Sequence, residues 1–106
     1  MILEVADIRI KPGLQAEFEV AVEIGVRTVI AQAHGFKSYQ IRHSIETPER
    51  YILMLEWETL EDHTVGFRQS PAFSEWRAMV ASFFSEAPFT EHFLEIASAD
   101  NTKDIP

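Results

Sequence analysis

His63, Arg77 and His92 stand in a stretch, Trp57 to Phe93, that also holds both tryptophans and six of the eight phenylalanines. His63 and Phe67 are one helical turn apart and share a face. Trp76, Arg77, Val80 and Phe84 lie near one another on the helix that follows. Tyr51 and Trp57 stand at the two ends of one face of the preceding strand. A cavity between these elements would be apolar, with His63, Arg77, Tyr51 and His92 as its polar points. Such a lining suits a flat, partly polar organic ligand. A histidine there can take a phenolic proton, because its pKa lies near neutrality. An arginine can stabilise the phenolate that results. The same side chains also admit a plainer reading, in which the rings are core, Arg77 pairs with Glu75, Glu86 or Glu91, and His63 is a half-exposed helix residue. The sequence leaves both open.

Other chemistries find less support. The histidines are His34, His43, His63 and His92; no pair has i, i+4 spacing or a H-E-x-x-H pattern, so no metal site is expected. Ser70, Ser74, Ser82 and Ser85 fall at helix caps or helix surfaces, and no G-x-S-x-G elbow exists. Four unclustered glycines make no phosphate loop. With no cysteine there is no disulfide, thiolate metal site or thiol nucleophile, which fits a cytoplasmic protein. Seventeen acidic against nine basic residues give a net charge of -8, which argues against nucleic acid or an anionic membrane as partner. The N-terminus lacks the basic and long apolar regions of a signal peptide, and no apolar run approaches the roughly 18 residues of a membrane span.

The elements that must position these residues follow from periodicity. Residues 2–10 alternate as a strand, with Ile2, Ala6, Ile8 and Ile10 on one face and Leu3, Val5, Asp7 and Arg9 on the other. Lys11-Pro12-Gly13 stops it. Leu14, Phe18, Val22, Val26, Val29, Ile30 and Ala33 form a helical stripe over 14–33, which His34-Gly35 would end as a C-cap, the imidazole meeting the helix dipole. Two strands, 36–45 and 50–58, flank the turn 46–49 as a hairpin. Thr59 caps a short helix whose inner face is Leu60, His63 or Thr64, and Phe67. Ser70 caps the next, with Pro71 at its first position, and that helix buries Phe73, Trp76 or Arg77, Val80, Phe83 and Phe84. Residues 89–97 are a fourth strand, with Thr90, His92, Leu94 and Ile96 on one face.

The order β-α-β-β-α-α-β in 106 residues describes one α+β domain over 1–97 with a polar tail over 98–106 that frays or crosses to a partner. Four antiparallel strands with helices on one face make a ferredoxin-like split βαβ sheet. Ile52 and Met54 then fall on the uncovered face if Tyr51, Leu53, Leu55 and Trp57 meet the helices. An apolar patch of that kind marks an interface, so a homodimer packed through its sheet faces into a shared barrel is expected.

From Ile2 to about Ile96 the chain resembles the antibiotic biosynthesis monooxygenase family. The marks are the first strand closed by K-P-G, Trp57 at the end of the third, L-E-D-H, F-R-Q-S-P-A-F-S-E-W-R and P-F-T-E-H-F. The resemblance implies a dimeric α+β barrel with one pocket per subunit. Some relatives oxidise polycyclic phenols to quinones with O2 and no cofactor, the deprotonated substrate supplying the electrons. In that reading His63 is the base, Arg77 the anion stabiliser, and Tyr51, Trp57, Phe67, Trp76, Val80, Phe84 and His92 hold the ligand. Other relatives degrade haem with an asparagine, a tryptophan and a histidine at positions that fall here on Ala6, Phe67 and Arg77. All three differ, and an arginine cannot ligate iron. A non-catalytic barrel that binds a small aromatic molecule, or an isomerase or lyase on the same scaffold, stands as the alternative.

Overall fold

The structure, a computed structural model, describes residues 1–100; the end of the polar tail, 101–106, lies outside them. The strands are β1 (Ile2–Arg9), β2 (Phe36–His43), β3 (Arg50–Trp57) and β4 (Phe89–Phe93), and the α-helices are α1 (Gln15–Thr28) and α2 (Pro71–Val80). The strands form one antiparallel sheet in the order β2-β3-β1-β4. This is the ferredoxin-like α+β arrangement, with β1 central and therefore able to carry buried residues on its inner face.

Alternation decides that face. Glu4, Ala6 and Ile8 of β1 and Tyr51, Leu53, Leu55 and Trp57 of β3 are buried, whereas Leu3, Val5, Ile52 and Met54 on the outer face are only half-buried. Phe18, Val22 and Val26 lay the stripe of α1 against the inner face. Phe18 meets Tyr51 at 4.9 Å and Phe83 at 5.7 Å between ring centroids. Gly25 lets α2 come close: a Cβ built there would stand 2.8 Å from the Trp76 ring. Burial of side chains this large contributes about 1.5–3 kcal/mol each.

Several local expectations change. The α-helix stops at Thr28, and Ile30–Gln32 is a 3-10 turn. Thr28, Val29 and Ile30 are consecutive β-branched residues, which crowd a helix. The Thr28 hydroxyl also donates to the Ile24 carbonyl at 2.7 Å, a back-bond that bends helices. Gly35 has φ 85 but turns the chain into β2 and caps no α-helix. His34 is 97% exposed, with Nε2 3.9 Å from Asp62 Oδ1, so it does not sit on the helix end.

The short helix after Thr59 contains a π-helical segment, Asp62–Phe67, in which Arg68 N–H donates to the His63 carbonyl. Thr59 caps its start reciprocally: its Oγ1 accepts from Asp62 N–H while Asp62 Oδ2 accepts from Thr59 N–H, both at 3.1 Å. Leu60 turns out to solvent at 39% exposure, leaving His63 and Phe67 as the inner face. Ser70 stands at the N-cap of α2, but its hydroxyl donates back to the Phe67 carbonyl rather than capping.

β2 stops at His43, where Ser44 Oγ accepts from Thr47 N–H to start the turn. β4 ends at Phe93 rather than residue 97: Phe93 pairs with Leu3, and β1 begins one residue further on. Leu94 and Ile96 are exposed as a result, and Ser98–Asp100 have no regular structure. Among the described residues no helix is long and apolar enough to cross a membrane.

Candidate active site

A cavity of about 350 Å³ opens between the inner face of β1, β3 and β4, the π-helical segment and α2. Its walls are Phe67, Phe73, Trp76 and Phe84, with Ala6, Leu53 and Leu55 as the floor; its polar groups are Glu4, His63, Arg68, Arg77, Thr90 and His92. Strand parity places Glu4 and His92 side by side, since they are Cα partners in the β1–β4 register. The π-helical segment places His63 over them.

Of the residues singled out from the sequence, His63, Phe67, Trp76, Arg77, Phe84 and His92 all line this cavity. Tyr51, Trp57 and Val80 do not. Tyr51 sits at the start of β3 under Phe18, where its hydroxyl donates to Glu19 at 2.6 Å and its ring stacks on His43 at 4.2 Å. Val80 is fully buried in the core. Trp57 is buried at the end of β3, beyond the cavity floor on the same face, with its ring stacked on His63 at 5.4 Å and its Nε1–H donating to Glu4 Oε1 at 2.9 Å.

Glu4 is the residue that sequence reading passed over. It is 6% exposed, the one acidic residue among the buried core positions described. Its position on the same parity as Ile2, Ala6 and Ile8 was the available signal: a charged residue at an inward position of a central strand needs a partner. Trp57 supplies one, and His63 Nε2 approaches Oε1 to 3.3 Å. His63 Nδ1 in turn lies 2.8 Å from His92 Nε2. These contacts run from one side chain to the next; among the described residues no three His, Asp or Glu groups are placed to hold one metal ion.

Burial sets the electrostatics. It raises the Glu4 carboxyl to about 7, against the lowering effects of the Trp57 N–H and the Arg68 charge. It holds His63 down at about 4, with Arg68 and His92 adding to the effect. It lowers His92 too, with Arg68 again contributing. At neutral pH both imidazoles are therefore neutral and Glu4 is the group poised to titrate. Arg68 and Arg77 form no ion pair among the described residues, whereas Arg9, Arg27 and Arg50 each hold a carboxylate. Arg68 packs over the Phe73 ring, 5.7 Å from its centroid. In a chain of net charge -8, Arg68 and Arg77, both exposed and without an ion pair among the described residues, line one cavity of mixed polar and aromatic walls and can attract an anion there.

Comparison with known proteins agrees with this architecture. A Bacillus subtilis protein, YczJ, described as uncharacterized, is 38% identical over 96 residues, which is 91% of this chain and all of that one. The crystal structure of a Bordetella bronchiseptica protein carrying an antibiotic biosynthesis monooxygenase name matches with TM-score 0.85 and 38% identity over 91% of this chain and 97% of that one. The Streptomyces coelicolor monooxygenase ActVA-Orf6, solved with Nanaomycin D, shares the fold at TM-score 0.80 and 18% identity, over 94% of this chain and 91% of that one. The sequence profile of the family described as antibiotic biosynthesis monooxygenase matches residues 1–79. With that match spanning β1 through most of α2, the chain belongs to the antibiotic biosynthesis monooxygenase family.

Proposed function

We propose that this protein is a cofactor-independent monooxygenase acting on an aromatic phenol or hydroquinone. The observation that carries the reading is the cavity itself: four aromatic walls around a histidine pair and two unpaired arginines. ActVA-Orf6, which shares the fold, is a monooxygenase solved with Nanaomycin D, and that supports reading the cavity as a monooxygenase site. The ring of a phenol would lie among Phe67, Trp76 and Phe84. The His63–His92 pair removes the phenolic proton, and Arg77, with Arg68, stabilises the oxyanion. The electron-rich anion then reduces O2; one oxygen atom enters the ring as a quinone carbonyl and the other leaves as water.

The test is oxygen uptake with a panel of polycyclic phenols and hydroquinones, comparing the wild type with His63→Ala. Uptake with quinone formation, slowed on the order of 100-fold in the variant, is the expected result. Saturable binding with no uptake overturns catalysis in favour of a binding barrel. That second reading draws on one observation: both ring nitrogens of His63 already face protein groups. Product formed equally well under nitrogen overturns oxygenation in favour of an isomerase or lyase.

The same reading includes a homodimer built through the outer sheet faces. Half-buried Leu3, Val5, Ile52 and Met54, continued by Phe89 at 64% and Phe93 at 45% exposure, support it.

A further inference from the structure

His63 has no nitrogen to spare. Its Nδ1 is 2.8 Å from His92 Nε2, and its Nε2 is 3.3 Å from Glu4 Oε1. His92 differs: its Nε2 is engaged, but its Nδ1 has no hydrogen-bond partner among the described residues, and its ring lines the cavity. Among the described residues no buried side-chain nitrogen or oxygen is left unpaired, so this Nδ1 is open to the cavity or to solvent. Glu4 is fixed from behind by the Trp57 N–H at 2.9 Å.

We propose that Glu4, His63 and His92 form a proton relay in which His92 Nδ1 meets the ligand and Glu4 is the final acceptor. This deepens the proposed reading by assigning the route of the proton and the side chain that touches the substrate.

With Glu4 ionised, His63 carries its proton on Nε2, facing the carboxylate. Its Nδ1 then accepts from His92 Nε2–H, which leaves His92 Nδ1 as a free acceptor. A ligand O–H bond breaks as N–H forms at His92 Nδ1. The His92 Nε2 proton passes to His63 Nδ1, and the His63 Nε2 proton passes to Glu4. Three bonds to hydrogen break and three form. Both imidazoles begin and end neutral, with the protonated nitrogen exchanged in each. Negative charge moves from Glu4 to the ligand oxygen, beside Arg68 and Arg77, and no isolated imidazolium forms in the interior. The low basicity of His63 is then no obstacle, because it never holds two protons in a stable state. The 3.3 Å contact must shorten for the last transfer, as contacts in unliganded sites commonly do.

Arg68, next to the π-helical segment, is the outside charge that acts on all three groups of the relay; Arg77 from α2 lines the same cavity. β3 contributes only the Trp57 N–H. Both guanidiniums stay charged throughout, so a pH response inside the relay belongs to Glu4 and the two histidines.

Protonating Glu4 in the free protein should set the same final state without ligand or oxygen. The experiment is 15N NMR of the histidine ring nitrogens from pH 5.5 to 8.5, in the wild type and in Glu4→Gln. His63 and His92 are expected to exchange their protonated nitrogens together, Nε2–H above and Nδ1–H below a common midpoint near 7. The Glu4 side-chain carboxyl 13C signal should share that midpoint. Glu4→Gln keeps an oxygen for Trp57 and for His63 Nε2–H but takes no proton, so its rings should stay Nε2–H throughout. Rings that keep one protonated nitrogen in the wild type, that become imidazolium together, or that switch unchanged in Glu4→Gln overturn the relay. If the variant does not fold, the wild-type rings and carboxyl decide the matter alone. Because no substrate is used, failure of the relay and failure of the oxygenase reading remain separate results.

Discussion

Replacing Glu4 by glutamine should change how stability depends on pH more than stability itself. Burial raises the Glu4 carboxyl from 4.5 to about 7. At about 1.36 kcal/mol per pH unit, ionising it in the folded protein costs about 3 kcal/mol relative to the unfolded chain. A raised carboxyl contributes stability that is fully present below pH 4.5 and lost as pH rises through 7. His63, lowered from 6.5 to about 4, has the opposite sign. Its contribution is present above pH 6.5 and lost as pH falls toward 4, again by about 3 kcal/mol. Between pH 4.5 and 6.5 the two slopes oppose each other, and the wild type should be nearly flat from this pair. Glu4→Gln removes only the first. The variant's stability minus that of the wild type should therefore rise by about 3 kcal/mol from pH 4.5 to pH 8. Urea unfolding followed by tryptophan fluorescence at half-unit intervals would measure it, read as a change in midpoint at constant m. A difference that stays constant within about 0.5 kcal/mol across that range would refute a Glu4 carboxylate whose burial outweighs its hydrogen bonds.

Gly25→Ala should destabilise by about 1–3 kcal/mol, despite alanine's better helix propensity, because its Cβ would meet the Trp76 ring; a shifted Trp76 emission in the folded variant would report the displaced cavity wall. Tyr51→Phe should lower stability by about 1 kcal/mol through loss of the 2.6 Å bond to Glu19, and should leave ligand affinity unchanged because Tyr51 lies outside the cavity lining. Arg77→Met should weaken binding of the ionised form of a naphthol more than the neutral form, by on the order of 10-fold or more, in a fluorescence titration above and below the naphthol pKa. Met54→Glu should give a monomeric mass by light scattering where the wild type gives a dimer, since Met54 lies on the outer sheet face opposite the cavity.

The strands and the topology were legible because strand periodicity is local. Tyr51, Leu53, Leu55 and Trp57 stood out as one apolar face of β3; which face met the helices was open in the sequence, and the structure buries these four. Six of the nine proposed site residues line one cavity: helix parity placed His63, Phe67, Trp76 and Arg77, strand parity placed His92, and Phe84 follows the turn after α2. The misplacements have physical causes. Tyr51 and Trp57 share a face with the cavity floor, and a face is not a position along it: Phe18 covers one end and His63 the other. The helix end at Thr28 followed from side-chain back-bonding and three successive β-branched residues, a weaker signal than the apolar stripe that runs through it. β4 stopped at Phe93 because its neighbour ran out, which no pattern within residues 89–97 records.

By itself the sequence determined which residues share a strand or helix face, that no thiol is present, and that the elements follow the order of a four-stranded sheet with helices on one side. Those properties depend on neighbours within a few positions. Only the tertiary structure decided that Glu4, His63 and His92, up to 88 positions apart in the chain, touch in series. Strand pairing put Glu4 beside His92, and the π-helical segment brought His63 over both. Burial then inverted their usual order of acidity, because the cost of a charge depends on what surrounds it in space and not on what precedes it in the chain.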